Sequence, residues 1–192
     1  DVYFEEDEKN TLLINFPHPD YHWHKFVGRD EIYNRIKKFL STGRSILNIY
    51  GPGGYGKSAL VDYLARQLAE EKKYEKIIWY SDKDEWWDLE RNKSVSSNAK
   101  NSFELFKKNP IAGDSKTLAE IVMENKCLII VDNLDTMIDE GIELIEEYAS
   151  PNTQFITTSR IMTETGTQQR LDGLKTDESI DLIKNINKFK FI

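Results

Sequence analysis

Residues 51–58 read Gly51-Pro52-Gly53-Gly54-Tyr55-Gly56-Lys57-Ser58, a run with the spacing G-x-x-x-x-G-K-[ST]. Glycines at these intervals let the chain turn tightly and bring several backbone N–H groups round one phosphate. A lysine and a hydroxyl directly after them supply a cation and a ligand for a divalent metal. The segment is therefore read as a phosphate cradle built from Gly51, Pro52, Gly53, Gly54, Tyr55 and Gly56. Lys57 is expected to reach the β- and γ-phosphates of a nucleotide, Ser58 to complete a Mg2+ shell, and Ala59 to pack near the α-phosphate. The flanks sharpen the reading. Apolar, β-rich Ile46-Leu47-Asn48-Ile49-Tyr50 precedes the glycines, and Leu60, Leu64 and Leu68 share one helix face after them.

Two further clusters carry acids and a cation. In Leu128-Ile129-Ile130-Val131-Asp132-Asn133-Leu134-Asp135, the first aspartate ends an apolar run. That is where open α/β sheets bind ligands, so Asp132 is expected to hold Mg2+ through water. Asp135 is positioned to orient or deprotonate an attacking water near the γ-phosphate. A helix N-cap is the other reading of the same residue, and the two roles can coexist. In Phe155-Ile156-Thr157-Thr158-Ser159-Arg160, the arginine closes another strand, and its planar donor fork matches phosphate oxygens. Arg160 is expected to contact the γ-phosphate and report its presence.

Positioning these groups requires alternating strands and helices. Ile32, Ile36, Phe39 and Leu40 recur at about one turn, predicting a helix opened by Phe26 to Asp30 and ended by Ser41-Thr42-Gly43. Lys76-Ile77-Ile78-Trp79-Tyr80 lacks alternation, which suits a parallel strand covered on both faces. Cys127 to Val131 and Gln154 to Thr158 are expected strands; helices are expected over 57–70, 116–125, 137–148 and 177–187, the last through Ile180, Ile183 and Ile186. Leu12 to Phe16, stopped by Pro17 and Pro19, reads as a packed arm or linker. Residues 82–114 read as a polar surface excursion around a helix containing Trp86 and Trp87. The fold class is α/β: a three-layer α/β/α P-loop NTPase domain with a mostly parallel central sheet. Its expected limits are an acidic arm or linker over 1–25, the nucleotide-binding domain over 26–182, and the start of a truncated helical lid or linker over 183–192.

Taken in order, Phe26-Val27-Gly28-Arg29, the 51–58 loop, Leu128 to Asp135 and Phe155 to Arg160 resemble the nucleotide-binding domain of the STAND class of P-loop ATPases. The likeness is greatest to the NB-ARC and related NACHT-like modules of apoptotic and innate-immune switch proteins, and it covers about 26–182. Ile78-Trp79-Tyr80-Ser81 and Leu171-Asp172-Gly173-Leu174 also look like family segments, the latter at the exit toward a helical lid. The resemblance implies that Val27, Gly28 and Arg29 lie against adenine and its sugar. It also implies that Asp132 serves Mg2+, that Asp135 is the second catalytic acid and that Arg160 senses the γ-phosphate. The implied ligands are ATP or ADP with Mg2+, and the implied enzyme is a slow ATP hydrolase when isolated. The implied partners are helical-lid and winged-helix domains of a longer parent chain and a nucleotide-dependent homo-oligomer. Asn133 departs from the pattern, standing where many NB-ARC members carry an adjacent second aspartate. The lid and winged helix are not in this sequence, which reads as an excised module.

Composition narrows the alternatives. The 192 residues are 39% hydrophobic and 31% charged with a formal net charge of -7, as expected for one globular domain. That balance weighs against nucleic acid as the main partner without closing the reading of an AAA+ ATPase acting on it. One cysteine excludes an intrachain disulfide framework. With no signal-like start and no bilayer-length apolar stretch, it points to a reducing, cytoplasmic compartment and no membrane. A GTPase is disfavoured because Asp132-Asn133-Leu134-Asp135 lacks a glycine after two intervening residues and no Asn-Lys-x-Asp run occurs. A nucleotide-dependent scaffold with negligible turnover stays open. His18, His22 and His24 lack an accompanying cysteine or close acidic pair, and read as packing or solvent contacts rather than metal ligands. Lys107-Lys108 reads as a solvated face.

Overall fold

The computed structural model describes residues 11–14, 16, 27–81, 85–88, 93–96, 116–136 and 138–189. The apolar runs become strands of one sheet, β1 Leu12–Ile14, β2 Ile46–Tyr50, β3 Lys76–Ser81, β6 Cys127–Asp132 and β7 Thr153–Ser159, joined by the polar β8 Thr167–Arg170. Their order across the sheet is β1-β3-β6-β7-β2-β8, and every pairing is parallel. Parallel neighbours need crossovers, which the helices provide. These are α1 Asp30–Ser41, α2 Lys57–Glu70, α3 Leu118–Glu124, α4 Ile138–Tyr148 and α5 Thr176–Phe189.

Side-chain alternation within the strands divides the core into two layers. Leu47, Ile49, Ile77, Trp79, Leu128, Ile130 and Ile156 pack with Ile36 and Leu40 of α1 and with Leu60, Val61, Leu64, Ala65 and Leu68 of α2. The residues between them, Ile78, Tyr80, Cys127, Ile129, Val131 and Phe155, pack on the other side with Leu118 and Ile121 of α3 and Leu144 and Ile145 of α4. Both faces are covered, so β6 and β7 are buried along their whole length. This is the three-layer α/β/α arrangement expected.

Helix limits follow local chemistry. Helix α3 starts at a capping box in which Thr117 and Glu120 satisfy each other's backbone N–H groups. At the start of α2, Gly56 sits in the left-handed region with φ of 84°, a conformation glycine takes without the Cβ penalty.

Two expectations are corrected, and one strand is added. Leu12 to Phe16, read as arm or linker, contributes edge strand β1, with Leu13 opposite Ile77. The open edge of β3 accepts three β-forming residues, and the buried Phe16 ring then lies 5.5 Å from Trp79. Trp86 and Trp87, expected in a helix, lie in strand β4 Glu85–Asp88, which pairs antiparallel with β5 Lys93–Ser96 in a separate two-stranded sheet. Aromatic residues favour strands, and cross-strand pairing overrides a weak helical pattern. Strand β8 was not anticipated, because Thr-Gln-Gln-Arg has no apolar signal.

Candidate functional site

Strand β2 lies between β7 and β8, while the next strand, β3, lies on the far side of β6. The chain leaving β2 therefore crosses back over two strands, and a crevice opens at the C-terminal ends of β2, β6 and β7. Strands β6 and β7, which lead to Asp132, Asp135 and Arg160, end there. The loop after β2 runs into the N-terminus of α2, where helix geometry directs unsatisfied N–H groups and a positive dipole end outward.

The loop needs glycine at its first position for a second reason. A Cβ on Gly51 would fall 2.4 Å from the carbonyl oxygen of Leu171, whose own N–H donates to the Tyr50 carbonyl at 2.8 Å. The segment after β8 thus seats against the base of the loop. Pro52, Gly53, Gly54 and Tyr55 form its exposed tip, Gly56 and Ala59 are half-buried, and Lys57 is buried. The Lys57 ammonium turns into the loop and donates to the carbonyl oxygens of Gly51 at 2.7 Å and Pro52 at 2.9 Å.

The loop and β6 meet through Ser58 and Asp132. The Ser58 hydroxyl donates to Asp132 Oδ1 at 2.6 Å, and Asp132 is 2% exposed. A carboxylate and a hydroxyl are hard oxygen donors of the kind Mg2+ takes alongside water and phosphate, so this pair fits that ion. Thr158 at the end of β7 also donates to Asp132 Oδ1, at 2.6 Å, and Asn133 Nδ2 donates to Oδ2 at 3.2 Å. Neither Thr158 nor Asn133 was assigned a role from sequence. A polar residue at the end of an apolar, central strand was the available signal, because a buried hydroxyl needs a partner.

Asp135 and Arg160 also come together. The backbone N–H of Arg160 donates to Asp135 Oδ1 at 2.9 Å and its Nε to Oδ2 at 2.5 Å. Burial pushes the Asp135 carboxyl up, but the Arg160 side-chain and backbone hydrogen bonds and the guanidinium charge together outweigh it. The net pKa lies below the ordinary carboxylate value. Asp135 sits in a short 3-10 turn, Leu134–Thr136, and α4 begins only at Ile138, so Asp135 is not the N-cap of that helix.

Val27, Gly28 and Arg29 precede α1. Arg29 spans the mouth of the site, donating from Nη1 to the Asp172 carbonyl at 2.7 Å and from Nη2 to the Tyr55 carbonyl at 3.0 Å. It joins the loop tip to the chain leaving β8. Gly28 lies against α5, where a Cβ would meet the Glu178 side chain at 2.7 Å. Val27 is half-buried beside them in sequence.

Other groups stand apart from this chemistry. Cys127 is buried at the start of β6 and its thiol is pushed up to about 12, mainly by burial, which leaves it inert. His18, His22, His24 and Lys107-Lys108 lie outside the described residues. Among the described residues no group of three or more His, Cys, Asp or Glu is placed to hold a metal, and no helix is long and apolar enough to cross a membrane.

Comparison with known families decides the lineage. The model of the NB-ARC domain matches residues 29–189. The chain belongs to the NB-ARC family. This NB-ARC domain also shares its fold with solved structures of other proteins. A crystal structure of a DNA replication initiation factor superposes with a TM-score of 0.59 at 18% identity, covering 90% of this chain and 56% of the other. AMPPCP-bound DnaA from Aquifex aeolicus gives the same values, a TM-score of 0.59 at 18% identity over 90% and 56%. A chain of the HORMA:CdnC:Trip13 complex of E. coli MS115-1 gives 0.57 at 13% identity over 90% of this chain and 72% of the other. The NB-ARC domain thus spans little more than half the length of the replication factors. No curated protein sequence matches it. At these identities the structural likeness speaks for the fold, and with the family it makes the chain a P-loop nucleotide-binding module.

Proposed function

We propose that this NB-ARC domain binds ATP and ADP with Mg2+ and hydrolyses ATP slowly, acting as the switch module of a larger signalling or defence protein. The observation that carries the reading is the meeting of Ser58 from the first turn of α2 with the buried Asp132 at the C-terminal end of β6, at 2.6 Å. Mg2+ held there through water would neutralise phosphate charge.

The remaining work falls to the chain itself. Lys57 exchanges the Gly51 and Pro52 carbonyls for phosphate oxygens. The N–H groups of the loop and of the first turn of α2 take further phosphate oxygens. Arg160 releases Asp135 to contact the γ-phosphate, and the freed carboxylate orients the attacking water and accepts its proton. Val27, Gly28 and Arg29 flank the adenine and sugar. Since Arg29 also joins the loop tip to Asp172, nucleotide at this position acts on the chain leading into α5. In the parent, that connection would alter the placement of the helical-lid and winged-helix domains and so permit a homo-oligomer.

The test is calorimetric titration of the chain with ATP, ADP and GTP, with and without Mg2+, alongside Lys57→Ala. Adenine nucleotides are expected to bind more tightly than GTP, with Mg2+ dependence and a loss in the variant. Equal binding of GTP, or unchanged binding by the variant, would count against the assignment.

A further inference from the structure

Asp132 is gripped by more than its loop partner. The Thr158 hydroxyl, fully buried at the end of β7, donates to Asp132 Oδ1 at 2.6 Å and accepts the backbone N–H of Asn133 at 3.0 Å. One side chain on the neighbouring strand therefore fixes both the carboxylate and the peptide that follows it. The β6–β7 register explains the placement: Val131 lies opposite Thr157, so the next position brings Thr158 beside Asp132. Asn133 adds the bond from Nδ2 to Oδ2, and holds a left-handed backbone with φ of 61° while doing so. That conformation is uncommon outside glycine, and asparagine is among the residues that tolerate it best.

These bonds differ in their relation to a metal. Ser58, in the first turn of α2, is itself an expected metal ligand, and its oxygen lone pairs can serve the ion while its O–H still donates to Asp132. Thr158 and Asn133 approach from β7 and from the turn after β6, and neither needs to move. Donors from Thr158 on Oδ1 and Asn133 on Oδ2 fix how the carboxylate lone pairs are turned. Groups that orient a ligand in this manner commonly govern metal affinity by about 10- to 100-fold.

We propose that Thr158 is a positioning residue for the divalent metal, holding the Asp132 carboxylate in the orientation that the ion meets, and that Asn133 assists it from the second oxygen. The proposal rests on the reading of Asp132 as the group that serves Mg2+. It concerns how strongly Mg2+ strengthens nucleotide binding, and is separate from nucleotide binding itself.

The test uses the 192-residue chain and a fluorescent ADP analogue titrated at a series of Mg2+ concentrations and in EDTA. Thr158→Val keeps the shape and removes the hydroxyl. It is expected to raise the Mg2+ concentration needed for half-maximal enhancement by about 10-fold, with affinity in EDTA unchanged. Thr158→Ser should restore the response. Asn133→Gly suits the left-handed backbone and removes only the side-chain donor, so it supplies a folded variant if Thr158→Val is unstable; a smaller shift in the same direction is expected. An unaltered Mg2+ response in Asn133→Gly and in a folded Thr158→Val, where Asp132→Asn abolishes that response, would overturn the proposal alone. An unaltered response in Asp132→Asn would overturn the metal reading and the proposal with it. Equal losses with and without Mg2+ would reduce Thr158 to a packing role and also overturn it.

Discussion

Arg160 grips Asp135 at both carboxylate oxygens, one through its backbone N–H and the other through its Nε. The pair joins the end of β7 to the turn after β6. It occupies both the cation expected to read the γ-phosphate and the acid expected to handle water. The Asp135 side chain is 8% exposed and that of Arg160 63%, so the bond is half shielded and the guanidinium has a free path outward. Because the folded pKa of Asp135 is lowered, the pair stabilises the fold at pH values above the ordinary carboxylate range. The contribution is lost as pH falls through the folded value. Arg160→Ala keeps the backbone bond and removes the charge. Urea unfolding at pH 6–7 is expected to show a loss below about 1 kcal/mol, given the exposure of the guanidinium. The difference from wild type should shrink as pH falls through the folded value of the Asp135 carboxyl.

Asp135→Asn separates chemistry from binding. The amide oxygen can still accept the Arg160 backbone N–H, but the side chain can no longer take a proton from water. Single-turnover ATP hydrolysis is expected to fall by about 100-fold or more, while ADP affinity measured by titration stays within about threefold. Unchanged turnover would remove Asp135 from the reaction and leave its bonds to Arg160 as a tie between two strands.

The parts of the fold that announced themselves in sequence did so through continuous apolar runs or strong helical periodicity. Cys127–Asp132 is buried on both faces and its sequence is apolar up to Asp132; Thr153–Ser159 is equally buried around Phe155 and Ile156, with its polar side chains held by hydrogen bonds such as Thr157 to Asn48 and Gln154 to the Arg44 carbonyl. Strand β8 has no such burden. It lies at an edge, and its Gln168 makes a polar contact instead, accepting from Asn48 Nδ2 at 2.7 Å. Residues 51–58 were legible because the mechanism demands residue types at fixed spacing. Thr158 was not, because its role comes from the β6–β7 register, and a sequence does not state which strands are neighbours. The same holds for Asp135 and Arg160: each was singled out, and only the sheet order brought them into contact.

Lys57 offers a test of the loop that distinguishes charge from packing. Its ammonium bridges two loop carbonyls, and its stem lies in a buried position. Lys57→Met retains much of the stem and deletes the cation. ADP affinity is expected to fall by about 10-fold or more, as loss of a charged hydrogen bond of about 1.5–3 kcal/mol implies. Far-UV circular dichroism should be unchanged, so that a binding loss in a folded chain is read as loss of the phosphate cation.

Gly51 tests whether the base of the loop and the chain after β8 form one unit. Its missing side chain lets the Leu171 carbonyl approach to where a Cβ would be 2.4 Å away, and backbone rather than a mobile side chain makes that contact. Gly51→Ala must therefore push the 171 segment off Tyr50, whose carbonyl accepts the Leu171 N–H at 2.8 Å, or distort the loop itself. Either movement costs about 1–3 kcal/mol, readable as a lowered urea midpoint. Leu171 is buried in the same core layer as α2, and Arg29 ties the adjoining Asp172 to Tyr55, so the displacement reaches both ends of the loop. Gly53→Ala is the control, since a Cβ there meets nothing within 4 Å and the residue is exposed. It should leave stability within about 0.5 kcal/mol. If Gly51→Ala were as stable as Gly53→Ala, the close seating of Leu171 on the loop would be refuted.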